Sequence, residues 1–329
     1  MSNIQVSVRC VTYNHVGYIA QCLESLVTQK TDFDYEVLVF DDASNDGTSD
    51  IVRMYAERYP DIVVPIIRTQ NCYSRGLSAD YNFLDYAKGR FIAVCEGDDY
   101  WCCESKLQQQ FDYMALHPEC LLLCSGVAEY DDTKQRIVSV RRAADAESNV
   151  KLERILFNFT SFGTNSMMYR RESHNLPEAF TGWGVGDYPR FIYSSIMGVV
   201  HYLPEVMSVY RINVPGSWTA RNKDLSTKKK STVMISKGLK AADQYSSFRY
   251  HYLFERAVYL QKRDYLLAAK DWRELTAGET ALFFRNDSLK MKMIAWMRCF
   301  LPDSVVRILI DIDKVVAKHG VDKFSAKTQ

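Results

Sequence analysis

Phe91-Ile92-Ala93-Val94-Cys95-Glu96-Gly97-Asp98-Asp99-Tyr100-Trp101 is an apolar run that ends in three carboxylates. Short, β-rich and apolar after Lys88-Gly89-Arg90, its first five residues fit a buried central strand of a parallel sheet better than a helix. Acids crowded at a strand end repel one another unless something positive joins them. In an open α/β sheet, ligands bind in the crevice beyond the carboxyl ends of the strands. A divalent cation carrying a diphosphate is the economical occupant, because hard cations take oxygen ligands and commonly share them with phosphates. An acidic surface turn is the plainer reading, and the surrounding chain decides between the two.

Upstream, strand and helix signals alternate. Val6 to Val11 reads as a first strand and Tyr18 to Thr28 as a helix with Ile19, Cys22, Leu23 and Leu26 on one face. Tyr35 to Phe40 is a second strand ending in Asp41-Asp42, and Ser49 to Tyr59 a second helix. Val63 to Ile67 is a third strand, whose Pro65 marks it as an edge or a strand start. Leu77 to Lys88 is expected to be a third helix. Downstream, Lys106 to Leu116 reads as a helix and Cys120 to Cys124 as a strand. Asp131 to Asn149 reads as a polar, variable loop, and Gly163 to Arg211 as short apolar segments. The alternation predicts a doubly wound, mostly parallel α/β sheet with right-handed crossovers. GxGxxG and GxxxxGK[ST] are both absent, which weakens the dinucleotide-binding and P-loop readings. From about residue 222 Gly and Pro become rare and apolar residues fall at helical spacing, which predicts a helical appendage.

Nearly half of the 329 residues are hydrophobic, enough for a sizeable core, and a net charge of +1 argues against a nucleic-acid binder. The nine cysteines are scattered without a CxxC pair, so neither a zinc site nor a thioredoxin-like motif is expected. They suit a reducing cytosol. Met1-Ser2-Asn3-Ile4-Gln5 has no signal-peptide pattern, and no apolar run approaches the ~20 residues of a membrane span. The expected protein is cytoplasmic, soluble or at most peripheral to a membrane.

Polar clusters follow three strand ends: Thr12-Tyr13-Asn14, Asp41 to Thr48, and Glu96-Gly97-Asp98-Asp99. A parallel sheet brings these ends to one edge. Asp46-Gly47 is also a turn signal, with Thr48 or Ser49 as a helix cap. Ser44 to Thr48 is therefore assigned mostly to turn and cap, while Asp41 and Asp42 remain ligand candidates.

With Val11-Thr12-Tyr13-Asn14, Val39 to Thr48, and Glu96 to Trp101 followed by Lys106-Leu107 in this order and spacing, the chain resembles the family-2 glycosyltransferases, inverting enzymes of the GT-A fold that use nucleotide-sugars. The likeness runs to about Thr219. It implies a catalytic domain over 1–221, with a nucleotide-sugar half to about 105 and an acceptor half over 106–221, and a helical region over 222–329. It implies that Thr12, Tyr13 and Asp42, with Asp41 beside it, hold the base, most often uracil, that Glu96 lies near the ribose, and that Asn14 and Gly97 belong to the same nucleotide site as Asp98. Asp98, assisted by Asp99, would ligate Mn2+ or Mg2+ bridging the diphosphate; Glu96 stands where the family commonly has Asp and reaches further. Gly182 to Pro189 resembles the acceptor-side motif, with Asp187 as the base that deprotonates the acceptor hydroxyl and Trp183 as a stacking face for a sugar. Asp187 before Pro189 is equally a helix start. Val209 to Thr219 resembles the segment over the diphosphate, with Arg211, Ser217 and Trp218 covering the leaving group. Related sequences often carry a metal-binding His where Asn213 stands. Arg68 and Arg75 are further phosphate candidates, each equally readable as a solvated charge.

Met293 to Leu301 and Val305 to Ile310 interleave apolar residues with Lys290, Lys292, Arg298 and Arg307, a pattern that suits an anionic membrane surface or a protein partner. The resemblance thus implies a metal-dependent transferase moving a sugar to a glycan or lipid-linked acceptor in bacterial surface-polysaccharide assembly, at the cytoplasmic face of the inner membrane. A homo-oligomer is compatible with that reading. A sugar nucleotidyltransferase is the rival enzyme, but it needs a glycine-rich loop that does not follow strand one here. A catalytically silent nucleotide-binding protein is the rival outside enzymes.

Overall fold

The structure, a computed structural model, describes residues 4–214, 224–302 and 304–306. The first half alternates as the sequence predicts as far as the third strand: β1 (Ile4–Thr12), α1 (Ile19–Val27), β2 (Asp34–Asp41), α2 (Thr48–Arg58) and β3 (Val63–Ile67), after which β4 (Phe91–Val94) follows with no α-helix between. β5 (Tyr100–Trp101), α3 (Lys106–Leu116), β6 (Cys120–Asp131), β7 (Arg136–Arg141), β8 (Ser148–Asn149) and α4 (Leu152–Phe157) follow. β9 (Met168–Arg170), α5 (Asp187–Met197) and β10 (Val199–Ile212) complete the sheet. The C-terminal region is helical: α6 (Leu225–Tyr245), α7 (His251–Ala268), α8 (Trp272–Thr276), α9 (Gly278–Asn286) and α10 (Leu289–Phe300).

One mixed sheet runs β3-β2-β1-β4-β9-β6-β10-β5, with β7 on β6 and β8 on β10. β3, β2, β1 and β4 are parallel, and β9 is antiparallel to both of its neighbours. Pro65 sits on an edge strand, where its missing N–H costs no ladder bond. β2 and β3 lie on one side of β1 and β4 on the other, so the switch point, and the crevice it opens, falls between β1 and β4.

Strand residues alternate between two cores, as the period of two requires. Val37, Val39, Phe91 and Ala93 pack with α1, α2 and α3 on one face. Leu38, Phe40, Ile92 and Val94 face the other, where Leu156, Phe191, Ile235, Leu239 and Phe254 close over them. The helices α6 and α7 thus contribute to the same core as the sheet, and a smaller cluster around Tyr259, Leu275 and Phe284 joins α7 to α8, α9 and α10.

Two expectations are corrected. Residues 77–88 form no α-helix but a loop with a single 3-10 turn at Phe83–Asp85. Ala79, Phe83 and Ala87, spaced four residues apart, are nonetheless buried. The backbone is diverted, however: Arg68 Nε takes the Ala79 carbonyl at 2.8 Å, and Arg9 and Ser78 hold the Asp80 side chain. Residues 131–149 are not merely a loop either, because Arg136–Arg141 pairs antiparallel with β6. Its Ile137-Val138-Ser139-Val140 run is β-prone, although more than a third of each apolar side chain stays exposed.

Candidate active site

The three polar clusters meet at the β1/β4 crevice. Thr12 pairs with Asp41 in register, the Asp42 amide donates to the Thr12 carbonyl at 3.0 Å, and the Gly97 amide donates to the Val11 carbonyl at 2.9 Å. The acidic turn therefore runs on beside β1. Only glycine fits at 97, since a Cβ there would lie 2.5 Å from Thr12 Oγ1.

Most of the first two clusters serves to lock loops together. Asp41 is fully buried and accepts from Ser44 and Ser49, so its part is to shape the turn before α2. The N-cap of α2 is Gly47, without a side-chain cap bond, and not the expected Thr48 or Ser49; Asp46 accepts from the Thr48 amide and hydroxyl at 3.0 and 2.6 Å and so holds the turn into the helix. Asp42 is buried and its two oxygens accept from the Cys72 and Tyr73 amides at 2.6 and 3.1 Å, which fixes the loop after β3. Asn14 Oδ1 accepts from the Asn45 amide at 3.0 Å, and Thr12, itself buried, meets His15 Nδ1 at 3.2 Å. Burial keeps His15 below its usual 6.5, against the pull of Asp98. Tyr13, which follows β1 directly, is an exposed aromatic residue, 44% accessible.

The acidic motif divides into distinct roles. Glu96 Oε1 accepts from Arg9 Nη1 at 2.9 Å, and Arg9 also grips Asp80. Desolvation raises the Glu96 carboxyl, Arg9 opposes, and Asp80 and Asp98 push it further up. Asp99 is buried; its Oδ1 accepts from the Arg211 amide at 2.8 Å, while Oδ2 has no partner among the described residues. Burial, followed by the charge of Asp98, lifts its carboxyl well above the usual range. Asp98 is partly exposed, and its carboxylate has no hydrogen-bond or ion-pair partner among the described residues. It is the free oxygen donor of the motif. Among the described residues no three His, Cys, Asp or Glu side chains form a closed metal cage. One free carboxylate with an orphaned acidic oxygen beside it suits Mn2+ or Mg2+, which takes one or two carboxylates and completes its shell with phosphates and water.

Arg211 is buried between the Tyr18 and Tyr100 rings, 5.1 and 4.8 Å from their centroids, and donates to the Asp98 carbonyl and to Gln21. It braces the acidic turn from behind while bringing its charge close to it. Asn213, at φ 64°, bonds with Asp131, whose carboxyl is lowered chiefly by Thr133 and Lys134. Ser217 and Trp218 lie outside the described residues, as does the expected domain boundary at 221–222.

Asp187 opens α5. Its Oδ2 accepts from Thr164 Oγ1 at 2.6 Å and its Oδ1 from the Tyr188 amide at 2.8 Å, which fixes the carboxylate in one pose; Asp187 is the first residue of the helix, whose N-cap is Gly186, and not its cap. Asn165, next to Thr164, accepts from Trp101 Nε1 at 2.9 Å through its carbonyl. Two residues of chain therefore tie Asp187 to the acidic motif.

Trp183 is not a stacking face. It is 2% exposed, donates to the Ala179 carbonyl at 3.0 Å and packs so tightly on α6 that a Cβ at Gly238 would meet its ring at 2.1 Å. A Trp between glycines reads as exposed when its packing partner lies some fifty residues later in the chain. Trp101 is likewise core. Arg68 is spent on Ala79 and Asn82 and stacks on Tyr81, while Arg75 pairs with Gln70. Arg9, Gln21 and Thr164 are the site residues that sequence reasoning missed. Only Arg9 carried a signal, a charge in the middle of an apolar strand.

Residues 7–176 match the family model for glycosyl transferase family 2. An uncharacterised protein of Mycobacterium tuberculosis is 33% identical over 224 residues, covering 65% of this chain and 60% of the relative. The chain thus spans about three fifths of that curated relative's length. A poly(ribitol-phosphate) beta-glucosyltransferase of Bacillus spizizenii is 37% identical over 107 residues, 32% of this chain and 16% of that protein. Among solved structures, S. aureus TarS 1-349 in complex with UDP-GlcNAc superposes with a TM-score of 0.57 at 19% identity, covering 90% of this chain and 79% of that one. The mannosyltransferase PcManGT of Pyrobaculum calidifontis, in complex with GDP-Man and Mn2+, gives 0.51 at 18% identity over 94% and 88%. These likenesses establish a GT-A glycosyltransferase fold. The chain belongs to glycosyl transferase family 2.

Proposed function

We propose that the protein transfers a glycosyl group, with inversion, from a nucleoside-diphosphate sugar to a hydroxyl of a glycan or lipid-linked saccharide. The observation that carries this reading is the unpartnered Asp98 carboxylate in the acidic turn that runs beside β1 at the β1/β4 crevice. Tyr13 stacks on the base, and the loop fixed by Asp42 walls its edge; the UDP-GlcNAc complex of TarS favours uridine as that base. Glu96, set by Arg9, faces the ribose. Asp98, with Asp99 behind it, holds Mn2+ or Mg2+, which supplies positive charge to the leaving diphosphate. Arg211 adds a fixed positive charge behind the same turn.

Asp187 takes the proton from the acceptor hydroxyl as its oxygen bonds to the sugar's anomeric carbon and the diphosphate departs from the opposite face. Thr164 and the Tyr188 amide hold the carboxylate in a single rotamer, so it is oriented before the acceptor arrives. The role is in bacterial surface-polysaccharide assembly, a reading supported by a Bacillus relative that bears the name of a teichuronic acid biosynthesis glycosyltransferase. No helix among the described residues is long and apolar enough to cross a membrane. Exposed Leu289, Met293, Trp296 and Phe300 form one stripe of α10 near Lys292 and Arg298, which suits peripheral contact with the cytoplasmic face of the inner membrane.

The test is nucleoside diphosphate release from a panel of nucleotide-sugars with oligosaccharide acceptors, for wild type and Asp187→Asn. The reading expects kcat to fall by roughly 10²-fold or more with donor KM held within about twofold. Equal turnover by both proteins contradicts the assignment of the base.

A further inference from the structure

We infer that the C-terminal helices carry a second binding site, lined by none of the donor-crevice residues, for a phosphate ester attached to an apolar or sugar body. A cavity of about 360 Å³ opens between α6, α7, α8 and α9, within the usual size range of a small-molecule site. Lys229, Lys237 and Lys240 reach it from one face of α6 and Lys262 from α7. Lys229, Lys237 and Lys240 have no ion-pair partner among the described residues. One carboxylate, Glu274, also lines the cavity, and Lys229, Lys237 and Lys240 outnumber it.

Unpaired lysines around a hollow repel one another, and an anion relieves that cost. The lysine ammonium binds phosphate as a point charge, without the planar fork that carboxylate pairing with arginine exploits. The walls between the charges are apolar, from Val233, Tyr265 and Leu266, so a bare ion would leave them wet. A ligand with an apolar or sugar body next to its phosphate satisfies both surfaces. Ser236 lines the same cavity, is 8% exposed, and its hydroxyl has no hydrogen-bond partner among the described residues. A buried hydroxyl without a partner is costly, and a ligand oxygen would relieve that cost.

Such a phosphate ester has two sources, a lipid headgroup or a soluble sugar or polyol phosphate. The site is separate from the proposed transfer chemistry, and its test does not depend on turnover. The full-length protein and Lys237→Gln/Lys240→Gln are titrated calorimetrically with glycerol 3-phosphate and with glycerophosphoglycerol. Both are also floated with phosphatidylcholine vesicles, with and without phosphatidylglycerol. Both substituted lysines are exposed, so equal melting temperatures and equal UDP responses serve as the folding control. The inference expects wild type to bind a soluble ester or the anionic vesicles, and the double variant to bind at least tenfold more weakly. Binding of a soluble ester assigns the site to a sugar or polyol phosphate; binding of anionic vesicles alone assigns it to a headgroup. If wild type binds none of these probes, or the variant binds as tightly as wild type, the inference is overturned.

Discussion

Replacing Arg9 by Met tests how the acidic motif is held. Arg9 is a strand residue, 19% exposed, whose guanidinium pairs with Asp80 and Glu96 at once. Burial alone would raise the Asp80 carboxyl; the charge and hydrogen bond of Arg9 overcome that and bring it from its usual 3.8 to about 2. At ~1.4 kcal/mol per pH unit, that depression contributes about 2.5 kcal/mol at neutral pH. Stranding two acids beside Asp98 brings the expected loss to ~3 kcal/mol, the lower end for breaking a buried pair. The sign with pH is fixed by the same shift. In wild type the Asp80 contribution is complete above the unfolded pKa near 3.8 and is lost as pH falls through about 2. In the variant the buried, unpaired carboxyl titrates above 3.8, so the folded state takes up a proton and is relieved as pH falls from 7 towards 4. Urea unfolding followed by tryptophan fluorescence at pH 7 and pH 4.5 measures both. A loss under about 1 kcal/mol at pH 7, or a gap that stays constant between the two pH values, refutes the reasoning.

Other outcomes follow from single contacts. Gly97→Ala forces a Cβ to 2.5 Å from Thr12 Oγ1, so the acidic turn shifts away from β1; nucleotide affinity should fall at least tenfold in calorimetry. Gly238→Ala, with its Cβ at 2.1 Å from the Trp183 ring, should lower the melting temperature of the whole catalytic unit by several degrees, because α6 shares its core. Lys106 is fully buried, 4.1 Å above the Trp101 ring with Gln110 as hydrogen-bond acceptor, and desolvation lowers its amine from 10.5 to about 7. The unfolded chain therefore binds more protons between pH 7 and 10, and wild type should gain stability relative to Lys106→Met as pH rises across that window in urea titrations.

The pattern of the first half of the chain was legible because each strand is a short apolar run and each helix has one apolar stripe; α3 and β3 fall where the periodicity puts them. The strand-end clusters were legible for the same reason, since parallel strands bring their ends together whatever the loops do. Long-range partners were not. Residues 77–88 carry helical spacing, yet Arg68 and Arg9 claim their polar groups from other strands. Trp183 looked like a sugar platform because nothing local announces Gly238 against its ring. Thr164 holds Asp187 across 23 residues, a pairing that no motif spacing encodes. The ion pairs of Arg9 reach 71 and 87 residues along the chain, so the residue that organises the acidic motif stands outside it.

The central claim is that Asp98 is the free carboxylate through which a divalent cation and a nucleoside diphosphate bind together. Isothermal titration of UDP and GDP into wild type and Asp98→Asn, each with and without Mn2+, tests it most directly. The account predicts that one diphosphate binds wild type at least tenfold more tightly with Mn2+ and that Asp98→Asn loses this enhancement while keeping its melting temperature. Equal affinity with and without Mn2+ in wild type, or an enhancement that survives in Asp98→Asn, contradicts it.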